Sequence, residues 1–317
     1  MANTTLFRLS NVQSLGDVIE NILSIKSEEK IKHVTPEQLK LLSSDDRVFV
    51  SEWTRYQEIS EDILELNVPD RDPVKYLVRE AYIETSKWPK NMFENGRLLP
   101  KPQRIVTENI KTLFFEKNEE VYCIIFTTSA VSLNKIKQKL FNEEQPLECV
   151  GDSYELHSDL FYWLFDKYEE GNKIIATRFE IEGISGFLGN IADENHKIKG
   201  DSDITTKLLV TKAFVSKFYP ITAIDIMLKY HDYRLDFVFN QQSECSLRSS
   251  SHIPNFQDEK DLSAALIIYS FIIPLLKELF EEDSEWSPEK KGAFSKKMGM
   301  EVIREIAQFN NIGLEFK

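Results

Sequence analysis

ITAIDIMLKYHDYRLDFVFN, residues 221–240, decides the fold. Read as two strands around a two-residue turn at His231-Asp232, it sets Tyr230 opposite Tyr233 and Leu228 opposite Leu235. Ile226 then faces Phe237, and Ile224 faces Phe239. Side chains alternate along a strand, so these apolar and aromatic groups all share one side. A slip of one residue would send half of them to the other side, which is why this register is the self-consistent one. The opposite side carries Asp225, Met227 and Lys229 on one strand and Arg234, Asp236 and Val238 on the other. Lys229 and Arg234 are directly opposed like charges, a costly pair unless Asp225, Asp236 or an outside anion compensates.

A second hairpin reads from IKTLFFEKNEEVYCIIFTTS, 110–129. Leu113 and Phe115 take one side and Phe114 the other, and the return strand is apolar on both. Such a pair belongs in the middle of a sheet covered on both faces. TLFRL (5–9), RVFVSEW (47–53) and KIIATRFEIEG (173–183) read as further strands. In the last, Ile175, Thr177, Phe179 and Ile181 point in, while Arg178, Glu180 and Glu182 form an outward row. GISGFLGN (183–190) spaces three glycines at intervals of three, fits neither GxGxxG nor a P-loop, and reads as tight turns.

Helix signals lie between the strands. Ser14 and Asp17 bracket a helix entry ahead of Leu15, Val18, Ile19, Ile22 and Leu23. Thr35-Pro36-Glu37-Gln38 has the residues of a capping box with proline at the first position. DPVKYLVREAY (72–82) predicts a helix capped by Asp72, with Val74, Leu77, Val78, Ala81 and Tyr82 on one face. SLNKIKQKLF predicts one capped by Ser132, with Lys135, Lys137 and Lys139 facing water. SDLFYWLFDKY (158–168) predicts one capped by Ser158 and buried all round, because Leu160 to Phe165 are apolar without a break. The polar stretch 193–202 reads as loop. Asp203 is the expected cap of a helix running to Phe218, and the serine-rich 243–251 reads as mobile. LSAALIIYSFIIPLL (262–276) is shorter than the roughly 20 residues a membrane helix needs. It reads as a core helix flanked by charge at 258–261 and by Lys277 and Glu278. Ser287-Pro288 opens a last helix with Phe294, Met298, Val302, Ile306 and Phe309 at near i+4 spacing.

Together these signals predict an α+β fold: a mainly antiparallel sheet built from hairpins, with helices packed on it, preceded by a smaller α/β unit. Pro89, Pro100, Pro102 and Asn95-Gly96 break regular structure between the two. The expected organisation is an N-terminal unit at 1–86, an irregular basic linker at 87–104 and a main domain at 105–317.

The 317 residues carry a formal charge of −13, so phosphate backbones and anionic membranes are repelled overall. The three cysteines (123, 149, 245) are far apart and form no CxxC, which speaks against a zinc site and for a reducing compartment. Cys123, inside VYCIIF, reads as inert core. MANTTLFRLSN lacks the basic flank and apolar run of a secretory signal, so the expected location is cytoplasmic. The abundance of Lys, Ile and Asn suggests a bacterial or phage source.

Catalytic signatures are missing. The histidines (33, 157, 196, 231, 252) have no HExxH spacing, and no GxSxG occurs. Two constellations remain. Glu180, Glu182, Asp225 and Asp236 would gather around Lys229 if the 173 strand neighbours the hairpin, a set able to hold Mg²⁺ or Mn²⁺ in a nuclease. Alternating polar residues on an exposed strand face produce the same picture with no cofactor at all. Lys87, Trp88, Lys90, Arg97, Lys101 and Arg104 combine charge with an aromatic ring, as single-stranded nucleic-acid binders do. The expectation for function is a cytosolic, non-enzymatic interaction protein with a protein partner or a second copy. It would be a subunit of a multi-component bacterial system such as antiviral defence or stress response. The alternative is a metal-dependent nuclease or nucleic-acid-binding protein.

Overall fold

The computed structural model describes residues 2–32, 34–56, 63–144, 146–150, 154–171, 173–191, 196–201, 205–254 and 260–313. The fold is α+β, and among the described residues the strand pairings with a defined register are antiparallel. It divides into two compact units, 4–149 and 150–317, the latter with the first three residues.

The N-terminal unit contains β1 (Ala2–Leu9) from Thr4 on, β2 (Lys26–Lys30), β3 (Val48–Arg55), β4 (Leu64–Leu66) and β5 (Val74–Ser86). It continues with the small hairpin β6 (Phe93–Glu94) and β7 (Arg97–Leu98), then β8 (Ile105–Lys117), β9 (Glu120–Ile125) and β10 (Leu147–Cys149). Its sheet runs β1-β9-β8-β5-β3-β2, so β8 is central, as its two apolar faces require. Leu113, Phe114, Phe115, Ile124 and Ile125 are all fully buried. Ser14 and Asp17 form the expected capping box, and the helical turns after it bury Leu15, Val18 and Ile22. Thr35 and Gln38 form a second one. The helix Ala130–Leu140 packs Ile136 and Leu140 into the same core as Leu77, Phe114 and Cys123.

Several expectations fail here for identifiable reasons. From Val74 onward, DPVKYLVREAY is part of β5, a strand. Leu77, Ala81 and Ile83 sit in the core on one face, while Tyr76 and Val78 are buried on the other. A strand covered on both sides is apolar at nearly every position, and such a run also satisfies i, i+3, i+4 spacing. The unit boundary, expected across 87–104, falls at 149/150. Residues on either side of 87–104 pair directly, from Ser86 with Ile105 to Tyr76 with Phe115, so the segment is the connection of a long hairpin. The 130–140 helix is capped by Ser129 rather than Ser132, whose hydroxyl donates instead to Glu108 at 2.9 Å. Lys135 and Lys139 pair with Glu108 and Glu29 instead of facing open water.

The C-terminal unit contains β11 (Ile174–Ala176), β12 (Phe179–Ile191), β13 (His196–Asp201), β14 (Ile221–Tyr230), β15 (Tyr233–Asn240) and β16 (Cys245–Leu247). The order is β11-β12-β14-β15-β16, with β13 also on β12. The β14–β15 register is the one read from the sequence, from Ile224 with Phe239 to Tyr230 with Tyr233. All eight inward residues are buried. The helix Ser158–Glu169 packs on this face through Phe161 against Phe239 and Phe165 against Phe187. The helix Lys260–Glu282 adds Phe271 against Tyr230. That helix is long and apolar enough to cross a bilayer, yet 78% of its most apolar window is buried in the fold.

KIIATRFEIEG breaks at Thr177-Arg178 into β11 and β12, with Arg178 at φ +59°. The glycines of 183–190 lie inside β12, not in turns, and register shifts occur beside Gly183, Gly186 and Gly189. A Cβ at Gly186 would stand 2.7 Å from the Gly200 carbonyl, and one at Gly189 would run into the Phe214 ring. These glycines admit close neighbours and bulges. Residues 196–201 of the expected loop form β13, whereas 193–195, 202 and Asp203 lie outside the described residues. The helix Leu209–Ser216 follows. The 158–169 helix is capped by His157, because the Ser158 hydroxyl is occupied by the Ile221 amide at 3.2 Å. The serine-rich 243–251 is ordered: Cys245, Leu247, Ser243 and Ser251 are buried. The last helix, Pro288–Phe309, begins at the Ser287 cap as expected.

Phe237→Ala removes a ring from the fully buried face and should lower stability by about 3–5 kcal/mol. Lys229→Ala on the opposite face should change it by no more than roughly 0.5 kcal/mol. Urea denaturation of the two variants measures the contrast.

Candidate functional site

The outward face of β12, β14 and β15 carries the predicted carboxylates. Pairing puts Glu180 opposite Lys229 and Met227 opposite Asp236. Glu182 falls at the register shift between Ile181 and Gly183. The five residues separate into two places. Glu180 and Lys229 line a pocket of about 420 Å³ at the hairpin tip, with Arg178, His231 and Asp232. Asp225 lies four residues along β14 from Lys229, roughly 13 Å away.

Away from the tip, each carboxylate has a cation or a hydroxyl of its own. Arg234 Nε lies 2.7 Å from Glu182 Oε2, which resolves the like-charge clash between Lys229 and Arg234. Asp225 pairs with Arg248, and Asp236 accepts from Ser250. The backbone of Asp236 is held as well, its amide by the Ser251 hydroxyl at 3.0 Å and its carbonyl by the Arg248 amide at 2.9 Å. Asp225 and Asp236 are therefore buried under the 248–251 segment. One Asp225 oxygen, Oδ1, is left without a hydrogen bond among the described residues. No three His, Cys, Asp or Glu side chains among the described residues gather as a metal site would require. What this arrangement does is clamp the 243–251 segment onto the sheet.

The basic segment is divided in the same way. Arg104 is fully buried, donating to the carbonyls of Leu99 and Asp46, each at 2.8 Å. Lys101 pairs with Glu84 at 2.8 Å, and Lys87 donates to the Gln103 carbonyl at 2.7 Å. Lys90, Arg97 and Trp88 remain exposed, Trp88 at 77%.

Two features escaped the sequence reading. The first is Asp166, buried in the 158–169 helix with Lys290 3.8 Å from one of its oxygens. Burial, with Glu170 adding to it, raises this carboxyl above the ordinary aspartate range against the opposing lysines. The second is a groove of about 720 Å³ between the helices Leu209–Ser216 and Pro288–Phe309. Leu209, Val210, Ala213 and Phe214 form one wall and Gly299, Met300, Val302, Ile303 and Ile306 the other. The i+4 stripe from Phe294 signalled that wall. Its first half, Phe294 and Met298, is buried, but Ile306 is 44% exposed and Phe309 87%. Compared with known proteins, the chain matches no protein-family model and no curated protein.

Arg248→Ala strands the buried Asp225 carboxylate and should cost about 3 kcal/mol, with much of the loss recovered on adding Asp225→Asn. Thermal and urea melts of the single and double variants test this. The pH dependence of Asp166 follows from its raised pKa. An acid that holds its proton more tightly when folded favours the native state at low pH, and this contribution is lost as pH rises through the raised value. Asp166→Asn should therefore gain stability relative to the parent chain between acid and neutral pH, read from urea midpoints across that range.

Proposed function

We propose that this chain is a cytosolic interaction protein, a subunit of a multi-component bacterial system such as antiviral defence or stress response. The observation that carries the reading is the open apolar groove of the C-terminal unit. Val210 is 59% exposed, Ile303 45% and Ile306 44%, and Phe309 continues the same helix outward. Isolated exposed apolar residues are ordinary, but several around one groove mark a contact surface. The engaged carboxylates of the sheet face add to this reading, since their partners are already within the fold.

A second reading is binding of single-stranded nucleic acid through the N-terminal unit. It is supported by the exposed Trp88 with Lys90 and Arg97 nearby in sequence, an aromatic platform beside positive charge.

The test is native mass spectrometry and affinity capture with the full chain against its Ile303→Glu/Ile306→Glu variant. The parent should form a defined complex, with itself or with another protein, that the variant loses. Exposed positions tolerate substitution within roughly 0.5 kcal/mol, so the variant's melting curve should hardly move. A strictly monomeric parent that captures nothing would refute the interaction reading.

A further inference from the structure

We infer that the groove between the helices Leu209–Ser216 and Pro288–Phe309 receives an acidic amphipathic helix from a partner protein. The inference rests on the interaction reading above and adds the chemistry of the occupant.

Shape gives the first argument. Lining residues run from Ser295 to Ile306 on one helix, a length of about 16 Å at 1.5 Å per residue, or three turns. Leu209 to Lys217 make the facing wall. Small residues, Ala213, Ser216 and Gly299, stand between the larger ones. A Cβ on Gly299 would lie only 3.2 Å from the Ser216 Cβ, so the two walls meet closely at the floor. The result is an open trough between two helices, its upper edges formed by the half-exposed Val210, Ile303 and Ile306. A small-molecule site encloses most of its ligand. A trough that leaves one side to solvent suits a helix laying i, i+3, i+4, i+7 anchors into it.

Charge gives the second. The chain carries a net charge of −13, yet among the described residues the charged side chains that line this groove are Lys217 and Lys296. Both are exposed, and among the described residues neither belongs to an ion pair. The nearby carboxylates Glu301 and Glu305 pair with Lys212, at 2.9 and 4.0 Å, and do not line the groove. An occupant that brings carboxylates to the rim finds complementary charge, whereas one that brings lysines is repelled. The same point disfavours a second copy. Isologous pairing of this face would bring Lys217 and Lys296 from both chains to one interface, with no lining carboxylate among the described residues to answer them.

The test uses the full chain and a fluorescein-labelled designed peptide of four helical turns, with leucine at i, i+3, i+4 and i+7 and glutamate elsewhere. A matched peptide carries lysine in place of glutamate. Fluorescence anisotropy should show the glutamate peptide binding and the lysine peptide roughly tenfold weaker or worse. Lys217→Glu/Lys296→Glu should reverse that order, and Ile303→Glu should abolish both. Failure of the glutamate peptide to bind, equal binding of the two peptides, or indifference to the lysine reversals overturns the inference. So does a concentration-dependent dimer of the parent chain that Ile303→Glu dissolves. If the peptide fails while Ile303→Glu/Ile306→Glu still breaks the complex sought in capture, the occupant alone was misassigned. If that complex is indifferent too, the interaction reading falls with it.

Discussion

Along β14 and β15 the backbone alternates its side chains with a period of two, and one register sends eight apolar groups to a single face. Much of the C-terminal unit follows from that constraint. The apolar face must be covered, and the helices 158–169 and 260–282 cover it through Phe161, Phe165 and Phe271. The same alternation leaves Asp225, Lys229, Arg234 and Asp236 no choice but the other face. Two cations set side by side there need an anion, and Glu182 supplies it from the neighbouring strand. Two carboxylates drawn under a covering segment need donors, and Arg248 and Ser250 supply them.

β12 is irregular beside that polar closure. Its register shifts where Gly183, Gly186 and Gly189 occur, and at Gly186 and Gly189 a side chain would collide with β13 or with Phe214. A regular strand would keep Glu180 and Glu182 strictly in line. The bulge lets Glu182 meet Arg234 while Glu180 stays opposite Lys229 at the turn. The carboxylate row that looks like one site in a linear reading is thereby divided into a charged pocket at the tip and a neutralised clamp along the sheet.

The groove between the helices 209–216 and 288–309 follows a different rule. Among the described residues nothing fills it, and its lining combines exposed isoleucine and valine with two lysines that belong to no ion pair. Burying apolar surface is the main favourable term in association, while the rim charges bear on which partner is accepted. An exposed apolar surface of this composition suits contact with a partner.

The hairpin register, the buried helices expected over 158–168 and 262–276, and the two capping boxes were legible in the sequence, because each depends on neighbours a few residues apart. Other features needed distant partners. Val74 to Tyr82 satisfies a helical period and a doubly covered strand equally, and only its pairing with β8 makes it a strand. Ser243 to Ser251 looks mobile until Asp236 and Tyr154 are seen to take its hydroxyls. Arg104 looks like a phosphate contact until Asp46 and Leu99 enclose it. For the site, the sequence by itself determined which charges share the outward face of the hairpin, since alternation is local. Only the tertiary structure decided that Asp225, Arg234 and Asp236 are met by Arg248, Glu182 and Ser250 from other segments and that the open surface lies between two helices about 80 residues apart, because burial and ion pairing depend on which distant segments meet.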